Sequence, residues 1–372
     1  MRIGLVCYPG LGGSGIVASE LAHWLAERGH QVWLFATERP FRLPSVTSVR
    51  FVEVDVPHYP VFPTPLYDLA LAGSLESALR REGLEIIHTH YAIPHAVSAW
   101  LASEGRVALV HTLHGSDVTI LGLDPAYRSL TARALKRAQG LSAVSVDLAR
   151  RAEFVFGVRP QVIPNAVDPE RFYPRPEARG RYARPNEALL VHASNFRPVK
   201  RVPDLIRIFA HLRRKLPARL LLLGQGSELP EVVRLIRELG LEASVEILPP
   251  TPHPEEVLGA ADLFLLTSEE ESFGQAALEA LASGVPVVAT DVGGVRELVT
   301  PEVGRLVELG DFEGFAETAV ELLRSPDFEK MRQRARSYAQ THFPPERITR
   351  AYETLYEEAL ARWRSTSGQT EA

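Results

Sequence analysis

One cysteine, two methionines and four lysines in 372 residues are the scarcities of this sequence. A lone Cys7 excludes a disulfide framework and any cysteine-built metal site. Charge of one sign is not in excess. The formal net charge is −5, which argues against a general nucleic-acid binder. Apolar runs are short, and none is long enough to span a bilayer. The opening residues, MRIGLVCYPG, read as a short strand ending in Pro-Gly and lack the length and cleavage site of a signal peptide. A cytoplasmic chain is therefore expected. There is no repeat at solenoid spacing and no low-complexity tract. A G-x-G-x-x-G turn is also missing, as is an acidic residue closing the following strand, which weighs against a nicotinamide-dependent oxidoreductase. What remains is the composition of an ordinary soluble protein, 45% hydrophobic and 23% charged, long enough for two domains with separate cores.

Strand and helix patterns alternate from the start. Ile3 to Cys7 reads as a strand, the loop Tyr8-Pro9-Gly10-Leu11-Gly12-Gly13-Ser14-Gly15 follows, and Ile16 to Arg28 is an amphipathic helix. The glycines allow backbone to approach a ligand, and Ser14 is a plausible N-cap. By itself such a turn is a weak signal. The βα units repeat through Thr112 and again from Leu189, which predicts doubly wound parallel sheets. Two strand ends carry polar clusters, His88-Thr89-His90-Tyr91 and Thr112-Leu113-His114-Gly115-Ser116-Asp117. Both fall at carboxyl edges, where open α/β sheets bind ligands. His88 and His90 read as core histidines bonded to backbone. The His-x-His spacing has no evident third ligand for a metal. His114 differs, because it stands in a polar loop beside Gly115. Proline density at Pro169, Pro174, Pro176 and Pro185 marks a boundary.

The second half is organised around residues 268–289, SEEESFGQAALEALASGVPVVA. The apolar run Leu263 to Leu266 reads as a buried parallel strand. Phe273 to Ala282 reads as a helix that Gly284 stops. Glu271 stands before that helix and Glu279 two turns along it. A helix N-terminus attracts phosphate, so the backbone N–H groups of Ser272, Phe273, Gly274 and Gln275 are candidate ligands. The two carboxylates can accept hydrogen bonds from sugar hydroxyls. Taken alone, two glutamates are more simply a solvated acidic loop and an exposed helix residue.

The surrounding pattern, E-S-F-G-x4-E-A-x-A-x-G-x-P-V-V, resembles the E-x7-E signature of retaining glycosyltransferases with the GT-B architecture. The resemblance implies an α/β fold of two Rossmann-like doubly wound parallel-sheet domains facing a central cleft. The domains fall at residues 1–165 on the acceptor side and 166–345 for the nucleotide-sugar. Residues 346–372 are expected as a helix crossing back to the first domain plus a flexible tail. It further implies that Glu271 faces the transferred sugar, that Glu279 binds the ribose and that His114 contacts the donor sugar. Gly13 would face the donor phosphate, and the Gly224 turn would lie beneath the diphosphate. Lys200 matches the family's lysine, but Asn195 stands where the family usually has an arginine, and Arg197 is off that position. Catalytic roles are thus expected for His114, Lys200 and Glu271.

Stretches at 7–15, 38–43, 88–102, 112–125 and 194–202 resemble the branch of this family that serves bacillithiol biosynthesis. That branch implies UDP-N-acetylglucosamine as donor and L-malate as acceptor. It implies acceptor contacts from Tyr91 and Thr112. Ser14 and backbone N–H groups of the glycine loop can supply further donors, and two carboxylates call for a cation, for which Arg128 is the candidate, with Arg42 and Arg133 competing. With no D-x-D motif, no metal and no other cofactor is expected. Nor is a nucleic-acid or membrane partner expected, and a homo-oligomer is left open. The alternatives are a related retaining transferase with another donor or acceptor, and an inactive sugar-nucleotide-binding module.

Overall fold

The computed structural model describes residues 1–10, 12–58 and 60–367. Leu11, within the expected glycine loop, and the expected tail from 368 onward lie outside the described residues. The chain forms two units, residues 1–165 with 345–372, and residues 166–344.

In the first unit, β1 (Arg2–Val6), α1 (Gly13–Glu27), β2 (Gln31–Ala36), β3 (Arg50–Glu53), α2 (Tyr67–Glu82), β4 (Ile86–His90), α3 (Ala92–Ser103) and β5 (Ala108–Leu113) alternate. They are followed by α4 (Ser116–Thr119), α5 (Pro125–Leu135), β6 (Gly140–Ala143), α6 (Val146–Phe156) and β7 (Gln161–Val162). The strands are parallel, in the order β3-β2-β1-β4-β5-β6-β7. Strands such as β2 and β5 are almost wholly buried because helices cover both faces of a parallel sheet.

The second unit contains β8 (Ala188–Asn195), α7 (Val202–Arg213), β9 (Ala218–Gln225), α8 (Leu229–Glu238), β10 (Val245–Leu248), α9 (Glu255–Ala260) and β11 (Leu263–Leu266). It continues with α10 (Gln275–Ala282), β12 (Val287–Thr290), α11 (Val295–Leu298), β13 (Gly304–Val307), α12 (Phe312–Arg324) and α13 (Phe328–His342). Its sheet is also parallel, ordered β10-β9-β8-β11-β12-β13. The core under β8 and β9 is built from α7 and α12, through Leu205, Phe209, Phe315 and Ala319.

The last helix, α14 (Pro345–Ser367), packs with the first unit against α1, β5 and β6. Glu353 holds Arg28 at 2.7 Å and His30 at 2.9 Å, and the Trp363 indole N–H donates to the Gly105 carbonyl at 2.8 Å. Ser365 to Ser367, expected in the flexible tail, are the last residues of this helix. Among the described residues no helix is long and apolar enough to cross a membrane.

Each sheet has one place where strand order reverses. In the first unit β1 lies between β2 and β4, and in the second β8 lies between β9 and β11. The loops leaving the two central strands on either side of such a point diverge and open a crevice at the carboxyl edge. Those loops are the ones carrying the glycine run and Tyr91 in one unit, and Lys200 and Glu271 in the other.

Candidate active site

In the second unit, the loops after β8 and β11 are stitched together by their backbones. The Glu269 N–H donates to the Val199 carbonyl at 2.8 Å, and the Thr267 hydroxyl donates to the Lys200 carbonyl at 3.1 Å. This brings two distant side chains together. The Lys200 ammonium donates to Glu271 Oε2 at 2.5 Å, and the Ser268 hydroxyl donates to the same oxygen at 3.3 Å. Both side chains are only 15% exposed. An ammonium has three donors, so Lys200 can keep Glu271 and still reach a further anion.

The helix beyond begins later than its composition predicts. Gly274, at φ 95°, is its N-cap, so Ser272 and Phe273 precede the helix instead of opening it. A left-handed residue stops helical hydrogen bonding there, and only glycine takes that conformation without strain. The Phe273 ring is buried edge-to-face on Phe343 at 5.8 Å, so any donor role for Phe273 rests on its backbone. The first N–H groups of α10, at Gln275 onward, have no helical acceptor and are therefore able to receive an anion. Glu279 is not the exposed helix residue of the simpler reading, because it is 2% exposed. A carboxylate so buried needs donors, and the Gln275 amide supplies one at 3.4 Å while also donating to the Ala166 carbonyl at 3.2 Å.

Gly224 lies inside β9, opposite Ser194 of β8, at φ 147°. A Cβ there would stand 1.9 Å from the Ser194 carbonyl oxygen, and one on Gly226 would stand 2.6 Å from the Phe196 backbone. These glycines are explained by the close approach of two strands, without a ligand. Asn195 ends β8, and its side-chain Oδ1 is buried without a hydrogen-bond partner. Arg197 is exposed.

In the first unit, Gly12 is the N-cap of α1, so Ser14 sits in the first turn and is not the cap that the sequence suggested. Gly15 has no room for a side chain, since a Cβ would lie 2.3 Å from the Tyr8 carbonyl oxygen. Gly13 is exposed. Tyr91 precedes α3 at φ 77°, and its hydroxyl shares a 2.7 Å hydrogen bond with Ser116. Tyr8 packs edge-on to it at 5.5 Å and against His95 at 4.4 Å.

Thr112 is placed differently from its expected acceptor role. It is fully buried, and its hydroxyl is engaged by His88 Nε2 at 2.7 Å, Ser142 at 2.7 Å and Tyr352 at 3.5 Å. A hydroxyl has one proton and two lone pairs, so three partners leave no capacity for a substrate. Arg128 is exposed, and its Nε donates to the Val155 carbonyl near the end of α6 at 2.9 Å. Arg133 lies over the Trp100 ring at 5.6 Å. Arg42 is the arginine whose loop meets the glycine run. The Phe41 N–H donates to the Pro9 carbonyl at 3.3 Å, and the Arg42 guanidinium is 3.6 Å from Glu20.

His114 follows β5 and is half-buried, with Nε2 at 2.9 Å from His90 Nδ1. Burial pulls its imidazole down to about 3, so the ring is neutral. Asp117, the last member of the polar cluster after β5, has a role that the sequence does not assign. Its buried carboxylate accepts from the Ala92 N–H at 2.8 Å, the Gly115 N–H at 2.7 Å and the His114 N–H at 3.1 Å. It therefore ties the loop after β4 to the loop after β5 and fixes Tyr91 relative to His114. The signal that could have revealed it is an Asp closing the short His-Gly-Ser turn directly after β5, from which a short side chain can reach back to the turn's N–H groups. Among the described residues no three His, Cys, Asp or Glu side chains form a group able to hold a metal ion.

Comparison with known proteins gives matches over both units. Residues 11–171 match the model described as Glycosyltransferase Family 4, and residues 174–342 match Glycosyl transferases group 1. The chain is 40% identical over 373 residues to an N-acetyl-alpha-D-glucosaminyl L-malate synthase of Bacillus anthracis, covering 97% of each. It is 33% identical to a D-inositol 3-phosphate glycosyltransferase of Thermobispora bispora, covering 85% of this chain and 82% of that one. Among solved structures, sucrose-phosphate synthase from Thermosynechococcus elongatus superposes with a TM-score of 0.83 at 22% identity, covering 97% of this chain and 100% of that one. Anabaena HepE in complex with UDP and glucose gives 0.81 at 22% identity, covering 95% and 99%. At these identities the two structures establish the shared fold.

Proposed function

Because the chain belongs to the group 1 glycosyl transferases, enzymes of GT-B architecture, we propose that it moves N-acetylglucosamine from UDP-N-acetylglucosamine to the hydroxyl of L-malate with retention at the anomeric carbon. The observation that carries the substrate assignment is the 40% identity along 97% of the chain to the synthase of that name. The chemistry is supported by the second unit's own geometry. Lys200 and the N-terminal N–H groups of α10 are fixed donors suited to a departing diphosphate, and fixed donors aimed at developing charge are a large catalytic term. Glu271 holds Lys200 in place and can accept from the sugar hydroxyls, while Glu279 accepts from the ribose. A β-phosphate oxygen of the leaving UDP takes the proton from the attacking malate hydroxyl, so no protein base is needed. His114 addresses the donor sugar.

Malate brings two carboxylates and needs a cation or several neutral donors in the first unit. Tyr91 and Ser14 supply hydroxyls. Arg42, beside the glycine run, is better placed than Arg128 to supply charge, and Thr112 is left to the core. A charge-assisted bond is about twice as strong as a neutral one, so the arginine should dominate acceptor affinity.

Incubating the protein with UDP-N-acetylglucosamine and a panel of small hydroxy acids, with products identified by mass, tests the assignment. The glycosylated malate should dominate, and its absence would leave only the broader transferase reading. Turnover should persist in EDTA, because the sequence has no D-x-D motif. Loss on chelation with recovery on adding magnesium or manganese would overturn the metal-free reading. Two substitutions separate donor from acceptor. Glu279→Ala should weaken UDP binding by roughly 1–3 kcal/mol, and unchanged affinity by calorimetry would remove the ribose role. Tyr91→Phe should raise the KM for malate about 3- to 10-fold, with UDP affinity nearly intact. A normal malate KM would move the acceptor elsewhere.

A further inference from the structure

His90 has no part in the chemistry above, yet its two ring nitrogens are unequal. Nδ1 is 2.9 Å from His114 Nε2. Nε2 is buried without a hydrogen-bond partner. The ring lies 4.4 Å from the His88 ring and 6.4 Å from that of Tyr352. Its backbone carbonyl accepts from His95 Nδ1 at 2.8 Å, and His95 Nε2 in turn meets the Tyr67 hydroxyl at 3.0 Å. The ring is therefore held in place from several sides.

Burial keeps the His90 and His114 imidazoles both neutral. A neutral imidazole has one N–H and one lone pair, so the contact between them holds a single proton, and two arrangements exist. If His114 donates, the His90 proton sits on Nε2 and is a buried N–H with no acceptor. If His90 donates, its Nε2 is a bare lone pair. A buried orphan N–H is the rarer and costlier defect.

We propose that His90 is a positioning residue that donates from Nδ1 to His114 Nε2, so that His114 carries its proton on Nδ1 and presents a hydrogen-bond donor there. Among the described residues His114 Nδ1 has no partner within the chain. This deepens the reading in which His114 addresses the donor sugar, and it rests on that reading for its catalytic meaning. A donor at Nδ1 can grip a sugar or phosphate oxygen. It cannot act as a general base, which agrees with the proton leaving on the diphosphate.

The test is a long-range proton–nitrogen correlation spectrum of the full-length protein labelled with 15N-histidine, at neutral pH. His114 is assigned by comparison with His114→Gln. The His114 signals should show a protonated Nδ1 and a bare Nε2. A protonated Nε2, or a doubly protonated ring, overturns the proposal. As a second arm, His90→Leu should let the His114 proton redistribute toward Nε2 and lower kcat by about 10-fold or more, since a wrong tautomer alone can cost far more than that. Calorimetric UDP affinity should change little. His90→Asn, whose amide can place an N–H near the former Nδ1, should recover most of the rate. An unchanged kcat in His90→Leu contradicts the proposal. If the wild-type protein transfers no sugar but shows the Nδ1 tautomer, the functional reading has failed and the tautomer assignment stands.

Discussion

Replacing Lys200 by alanine should lower kcat by roughly 10²–10³-fold, the usual cost of losing one fixed donor to a developing anion. Lys200 is the cation that the stitched loops after β8 and β11 deliver beside the α10 N-terminus. As UDP departs, negative charge grows on its β-phosphate, and a fixed ammonium meets that charge without reorganising. The variant loses a second thing, because Glu271, only 15% exposed, is left among the described residues with the Ser268 hydroxyl as its one side-chain partner. An under-satisfied, partly buried carboxylate costs about 1–3 kcal/mol of stability. A melt must therefore accompany the kinetics. Lys200→Met, which keeps most of the apolar stem, should lose a comparable amount of kcat with less change in stability. Arginine should not restore the wild-type rate, since its planar fork does not replace a compact ammonium. If Lys200→Ala and Lys200→Met both retain kcat within about 3-fold, well short of the loss one fixed donor carries, Lys200 is a structural ion pair and the leaving-group assignment fails.

The second large effect is on stability and comes from acid. Five histidines of the first unit are held neutral by burial. His95 is pulled down to about 4, His111 and His114 to about 3, and His88 and His90 well below their ordinary value. An imidazole with a depressed folded value binds its proton more weakly folded than unfolded. Once the pH falls below the ordinary 6.5, the unfolded chain takes up protons that the folded chain refuses. Stability is therefore lost from about pH 6.5 downward, and the loss continues until the folded values near 3–4 are passed. Each such group contributes about 1.4 kcal/mol per pH unit. Against an ordinary total of roughly 5–15 kcal/mol, four or five of them suffice to unfold the unit about two pH units below that point. Asp117 works in the opposite direction, because burial raises its value and its protonation at low pH favours the folded state. One carboxyl offsets only part of five imidazoles. Denaturant titrations from about pH 7.5 to about pH 4.5 should show a steep fall, and His111→Gln should flatten it by about one proton. Stability that is level between about pH 7 and about pH 5 would contradict the burial of these rings.

His111 also shows where sequence reading stops. The alternation of strands and helices, the parallel sheets and the family were all legible, because apolar runs of four to six residues bounded by Gly and Pro carry that signal on their own. The direction in which a polar residue points on such a strand was not. In β4 and β5 both faces are buried, so polarity does not mark an outward side. His88 and Thr112 turn toward Tyr352 and Tyr356 of α14, while Thr89 and His111 pair with each other at 2.7 Å. Thr112 looked like a loop-edge hydroxyl and is a core one. The Lys200–Glu271 contact joins residues 71 positions apart, and only the strand order β9-β8-β11 makes them neighbours. The Ala- and Leu-rich composition of residues 273–282 predicts a helix but does not fix where it begins, and the φ of 95° at Gly274 decides that. The role of Asp117 is not legible in the polar cluster that contains it, because it lies in three backbone N–H groups and backbone partners leave no trace in side-chain patterns.

The measurement that reaches the centre of this account is the anomeric configuration of the product. The protein is mixed with UDP-N-acetylglucosamine and L-malate, and the reaction is followed by proton NMR from its first minutes, before any anomer can equilibrate. The account predicts UDP release matched by a single new α-anomeric signal from N-acetylglucosamine joined to malate. A β-linked product would contradict retention without a protein base. UDP release with no malate conjugate would contradict the acceptor, and no reaction of any kind would contradict the assignment of Lys200, Glu271 and the α10 N-terminus to leaving-group departure.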